Sequence, residues 1–195
     1  MRRYAEGDLI RRLDRIDAGR KVAFAAACAE RLAPAYQAWA QQSHSGQPLK
    51  VADYLNSVWQ ALLGRNIDSD ELASGRAHCE SLVPGDAEPW LESQAYADDA
   101  VSAVAYALGA LASGLSQEAA WAARRAYEAL DRFVSDNLGI EDEVEIVGHR
   151  LVQAELERQE RDLTELESAA GATSEFVAKV RDRARAEAGI FFRGL

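Results

Sequence analysis

Asp98 and Asp99 enter a stretch otherwise built from alanine, valine and leucine, where a carboxylate has to find a use. On the buried side of a helix, an acid caps an N-terminus, meets an arginine, or serves a ligand. A second concentration of charge is Glu157-Arg158-Gln159-Glu160-Arg161-Asp162. Glu157 and Arg161 stand four apart in the favourable order on a helix, and Arg158 and Asp162 in the reverse one. Such a run is a solvated helix face, or half of a charged groove facing Glu30 and Arg31. The candidate binding residues are therefore Glu30, Arg31, Asp99, Arg161 and Asp162. No residue is assigned a catalytic or metal-ligating role, and no cofactor is implied.

Other constellations fall short of a reaction. The chain has no P-loop, no GxGxxG, no HExxH and no EF-hand loop. Ferritin-like metal sites need repeated Glu-x-x-His pairs on facing helices, whereas Glu145 and His149 form a single pair at a spacing of four. Cys28 reads as a small buried hydrophobe. Cys79 follows His78, but neighbouring residues on a helix point ~100° apart, which leaves thiolate activation poorly placed. No nucleophile-elbow motif surrounds any serine.

The elements that must position these groups are helical. From Arg20 to Gln42, Val22, Ala25, Ala29, Leu32, Tyr36 and Trp39 recur at alternating spacings of three and four, with Phe24, Cys28 and Ala35 on a second apolar face. Only the strip around Glu30, Arg31 and Gln37 is left for water, so this helix belongs at the centre of its domain. Pro34 should kink or split it. A second very apolar helix spans about 94–113, with Ala100, Ala105 and Ala112 allowing close approach to the first. Amphipathic stretches are expected near 8–17, 49–64, 69–82, 116–138, 140–170 and 174–188, with Ser116 as an N-cap and Asp68 or Ser69 as another. Val83 to Pro89 is a loop and the one plausible hinge. The prediction is a single all-α domain over residues 1–195, with about seven or eight helices around two alanine-rich ones.

At 195 residues, 48% hydrophobic and 28% charged, the chain can bury a core without disulfides or metal. No secretory signal and no apolar run near ~18 residues is present, which predicts a cytoplasmic protein with no membrane partner. Seven basic against four acidic residues at 1–21, and five against three at 174–195, leave ten against twenty-five between them. That acidic middle disfavours nucleic acid and suits a basic protein surface, unless it serves solubility alone. Trp90 or the Phe191-Phe192 tail could support a homodimer.

Val22, Phe24, Cys28, Glu30-Arg31-Leu32, Pro34, Tyr36 and Gln41-Gln42, then Trp59 with its leucine-rich turn, Asp99-Ala100, Glu160-Arg161-Asp162-Leu163 and Gly189-Ile190, follow in an order similar to the bacterial YjaG-like family, domain of unknown function 416. The loop from His44 to Leu49 and the stretch from His149 to Gln153 depart from that pattern. The resemblance implies a compact all-α fold, a bacterial cytosolic protein and no assigned activity. Two functions remain in competition. One is a non-enzymatic protein that binds another macromolecule, in one version an immunity- or antitoxin-type partner of a basic protein. The other is a small-ligand binder or enzyme with a polar site between the two apolar helices.

Overall fold

The computed structural model describes residues 1–83, 92–169, 171 and 173–189. Among these residues there are nine helices and no strands. In chain order they are α1 Glu6–Leu13, α2 Ala18–Ser43, α3 Pro48–Leu62, α4 Ser69–Ser81, α5 Glu92–Ser113, α6 Ser116–Leu138, α7 Glu143–Gly148, α8 Arg150–Ser168 and α9 Ser174–Glu187. Eight have seven residues or more, matching the all-α expectation. Trp90, most of the expected hinge and the Phe191-Phe192 tail lie outside the described residues.

Helices α2 and α5 form the centre and share the most extensive packing of any pair. Ala23, Ala25, Ala26, Ala27 and Ala29 on α2, and Ala97, Ala100, Ala103, Ala107 and Ala110 on α5, are fully buried. Alanine has the best helix propensity and no side-chain entropy to lose, so two such helices can approach closely at little ordering cost. Ala112 is exposed, at the solvent end of α5, and takes no part. Around this pair, α3, α6, α8 and α9 pack on α2, while α3, α4 and α6 pack on α5.

Helix ends follow from local chemistry. Asp17 starts α2 by accepting from the Arg20 amide, and Thr173 starts α9 by accepting from Phe176. Asp68 begins α4 through the Asp70 amide. Gly139 ends α6 in the left-handed region, at φ 66°, where glycine carries no steric penalty.

Three local expectations change. Of the two outcomes expected at Pro34, a kink or a split, the split does not occur: α2 runs unbroken to Ser43 because Ala35, Tyr36, Trp39 and Ala40 beyond it are all buried and hold the last turns in place. Ser116 is the first residue of α6 and not its cap; its hydroxyl donates to Asp14 Oδ1 at 2.5 Å. The charged run after Ile140 is broken at His149, whose extended backbone separates α7 from α8.

Candidate functional site

The five candidate residues divide between separate places, and neither charge cluster lies between α2 and α5, where alanine faces fill the contact. The first cluster joins α2, α8 and α9. Arg31 is only 4% exposed, not on the water-facing strip the periodicity assigns it. Its Nε and Nη2 donate to Glu155 at 3.0 and 2.9 Å, and its Nη1 donates to Asp162 Oδ2 at 2.8 Å. Asp162 Oδ1 accepts from Arg161 at 3.0 Å and from Arg183 at 2.8 Å. Arg161 goes on to Glu187, and Arg183 to Glu165. Gln159 donates to Glu155 and to the Ala123 carbonyl, both at 3.0 Å.

Every oxygen of Glu155 and Asp162 thus has a donor. Burial opposes charge on Arg31, but Glu155, Cys28 and Asp162 outweigh it, so its pKa lies above the ordinary arginine range. Two acids and an arginine can be held in a core this way only if each is fully satisfied. Glu30, next to Arg31 in sequence, belongs elsewhere. It accepts from Trp59 Nε1 at 2.7 Å and from Arg185 Nε at 2.9 Å, tying α2 to α3 and α9.

The second cluster lies between α5 and α6. Asp99 is 2% exposed and sits between Arg125 and Arg132, at 3.2 and 2.9 Å. It meets arginines and does not cap the helix. Burial raises its pKa, while Arg132 and Arg125 work against that rise. Tyr96 donates to Asn137 Oδ1 at 2.6 Å. These side chains, with Ala95, Asp98 and Asp136, line a cleft of about 580 Å³. One oxygen of Asp98, Oδ1, is buried with no hydrogen-bond donor among the described residues. Burial and the neighbouring Asp99 push the Asp98 carboxyl up to about 7, against the pull of Arg132 and Arg125.

That shift predicts a pH effect. Between about pH 4 and 7 the folded state holds a proton on Asp98 that the unfolded chain has released, so stability falls as pH rises through this window. Asp98→Asn should remove this fall and leave the protein more stable than the parent at pH 8. Solvent screening at a half-buried site keeps the gain near ~1 kcal/mol, or ~2–4 °C. Thermal denaturation of both proteins at pH 4 and pH 8 would check it, and an equal offset at the two pH values would refute it.

Other sequence candidates resolve into structure. His149 Nδ1 accepts from the Leu151 amide at the start of α8, so it stands across a helix break from Glu145 and not on a shared face. Cys79 is buried, and burial pushes its thiol up to about 12. Among the described residues no group of three or more His, Cys, Asp or Glu is placed to hold a metal ion. None of the described helices is long and apolar enough to cross a membrane. Glu155 and Arg183 are absent from the sequence candidates, and Gln159 enters only as a member of the charged run 157–162. The signal was there for two of them, since Glu155, Gln159, Asp162 and Leu166 recur at spacings of four, three and four on the buried side of α8.

A comparison with solved structures supports the fold. The chain is similar to a crystal structure of a DUF416 family protein from Shewanella baltica OS155, with a TM-score of 0.78 and 22% identity, over 90% of this chain and 92% of that one. No protein with a curated description matches. The model of the family described as "Protein of unknown function (DUF416)" matches residues 8–190. With nearly its whole length matched, the chain belongs to the DUF416 family, whose function is unknown.

Proposed function

We propose that the protein works by binding a basic protein partner on the acidic surface formed by the end of α6, the following turn and α7. One observation carries this reading. Asp136, Glu141, Asp142, Glu143 and Glu145 are all exposed, and none forms an ion pair among the described residues. Glu118, Glu128, Glu160 and Glu167 are paired, and other exposed acids without an ion pair among the described residues, such as Asp53, Asp70, Glu71, Glu157, Glu175 and Asp182, are spread over α3, α4, α8 and α9. Within the acidic surface Leu138 and Val144 are 47% and 58% exposed. Clustered like charges repel one another until a cationic surface covers them, and exposed apolar side chains supply the contact area that water would leave. The same repulsion disfavours a homodimer or nucleic acid on this face. An immunity- or antitoxin-type role is one form such binding takes.

The test uses immobilised protein and a host extract, with Glu141→Gln/Glu143→Gln/Glu145→Gln alongside and Asp142 kept because it caps α7. The parent should retain a protein with a basic surface at low salt and release it towards ~0.5 M salt, where the Debye length falls to a few ångströms. The triple variant should lose that partner while its stability stays within about 0.5 kcal/mol of the parent. Equal retention by the variant would sink the proposal.

A second reading, a small-ligand site, is favoured by the α5–α6 cleft, where Asp98, beside two arginines, has a buried oxygen with no donor among the described residues.

A further inference from the structure

Resting on that second reading, we infer that the cleft between α5 and α6 binds a small zwitterion of the α-amino-acid class, with its carboxylate on Arg125 and Arg132 and its ammonium group on Asp98 and Asp136. The cleft holds two kinds of unused capacity. Arg125 spends only Nη1, on Asp99 and Glu128, and Arg132 spends only Nη1, on Asp99 and the Ala95 carbonyl. The Nε and Nη2 groups of both have no partner among the described residues. Both side chains line the cleft and are about one-third exposed.

Asp99, also in the cleft lining, holds both arginines by their Nη1 groups. A carboxylate arriving from the cleft would therefore meet donors already positioned, in the geometry guanidinium groups favour. On the acceptor side, neither Asp98 nor Asp136 has an ion-pair partner among the described residues, and one Asp98 oxygen is buried with no donor among them. A cationic group at its other oxygen would offset the cost of keeping that carboxylate charged.

The lining is thus bipolar. Asp98 comes from α5, and Arg125, Arg132 and Asp136 come from α6. A simple anion would leave Asp98 and Asp136 uncompensated, and a simple amine would leave the open Nε and Nη2 donors of the arginines, already neutralised by Asp99 and Glu128, unused. A ligand carrying both charges a few bonds apart satisfies both. The volume, about 580 Å³, lies within the roughly 300–1,000 Å³ of small-molecule pockets and leaves room for a side chain.

The experiment is calorimetric titration of the full chain at pH 8 with each of the twenty common amino acids. Each one that binds is then compared with its decarboxylated amine and its deaminated acid. At least one amino acid should bind saturably at a single site, and its amine and acid counterparts should bind about tenfold more weakly or worse. Asp98→Asn and Arg132→Gln should each weaken the amino acid about tenfold, while Asp53→Asn on α3 should leave it unchanged. If Arg132→Gln does not fold, Asp98→Asn decides the matter, since Asp98 makes no described hydrogen bond that the change would break. An amine or acid binding as tightly as its amino acid would overturn the zwitterion assignment and leave the ligand site standing. Absence of saturable binding across the panel would overturn both.

Discussion

Arg31→Met is expected to lower the melting temperature by about 10 °C, the largest single effect at any charged residue of this protein. The reason is what it leaves behind. Glu155 and Asp162 are 2% and 1% exposed, and Glu155 takes three of its hydrogen bonds from Arg31. Without that guanidinium Glu155 keeps the Gln159 amide and a longer contact to Arg158 at 3.9 Å. Removing one partner of a buried pair costs about 3–5 kcal/mol, and each kcal/mol is worth ~2–4 °C at this chain length. Asp162 is buffered by Arg161 and Arg183, so Glu155 accounts for most of the loss. Adding Glu155→Gln should recover ~1–2 kcal/mol, because the orphaned charge disappears with it. Thermal or urea denaturation of the single and double variants checks this. A double variant less stable than Arg31→Met would show that the network is not the source.

Trp59→Ala should cost a similar amount by a different route. The indole is fully buried, and its Nε1 donates to Glu30 while the Arg181 guanidinium lies 5.8 Å from the ring centroid. One side chain therefore joins α3 to α2 and α9. Truncating a buried tryptophan costs ~3–5 kcal/mol in lost contacts and cavity. Trp59→Phe keeps most of the volume and loses the hydrogen bond with part of the ring packing, for ~1–3 kcal/mol. Denaturation midpoints should therefore order as parent, Trp59→Phe, Trp59→Ala. Equal losses for the two variants would mean that the bond to Glu30, not the packing, is what matters there.

Helix periodicity makes most of the fold legible in the sequence. The spacing of Val22, Ala25, Ala29, Leu32, Tyr36 and Trp39 places a central helix correctly because burial on α2 follows hydrophobicity almost residue by residue. It fails at Arg31, where a charged side chain occupies a buried position. No local pattern reveals that, since the acids that satisfy Arg31 lie over 120 residues away. Asp99 was legible as an acid on an apolar helix, but its partners come from the next helix. The break at His149 was hidden because the apolar stripe continues across it through Val147 and Leu151. The unpaired acids of 136–145 were visible only as part of a diffuse negative balance. Which acids are paired is a property of packing, not of composition.

The central claim is that the buried charges build the fold and the unpaired exposed ones bind a partner. The most direct measurement sets melting temperature beside partner retention for two proteins, Arg31→Met and Glu141→Gln/Glu143→Gln/Glu145→Gln, at a temperature where both are folded. A crossover is expected: Arg31→Met melts about 10 °C lower yet retains the partner, and the triple variant melts like the parent yet does not. A triple variant that retains the partner, or an Arg31→Met protein that is folded and has lost it, would contradict the account.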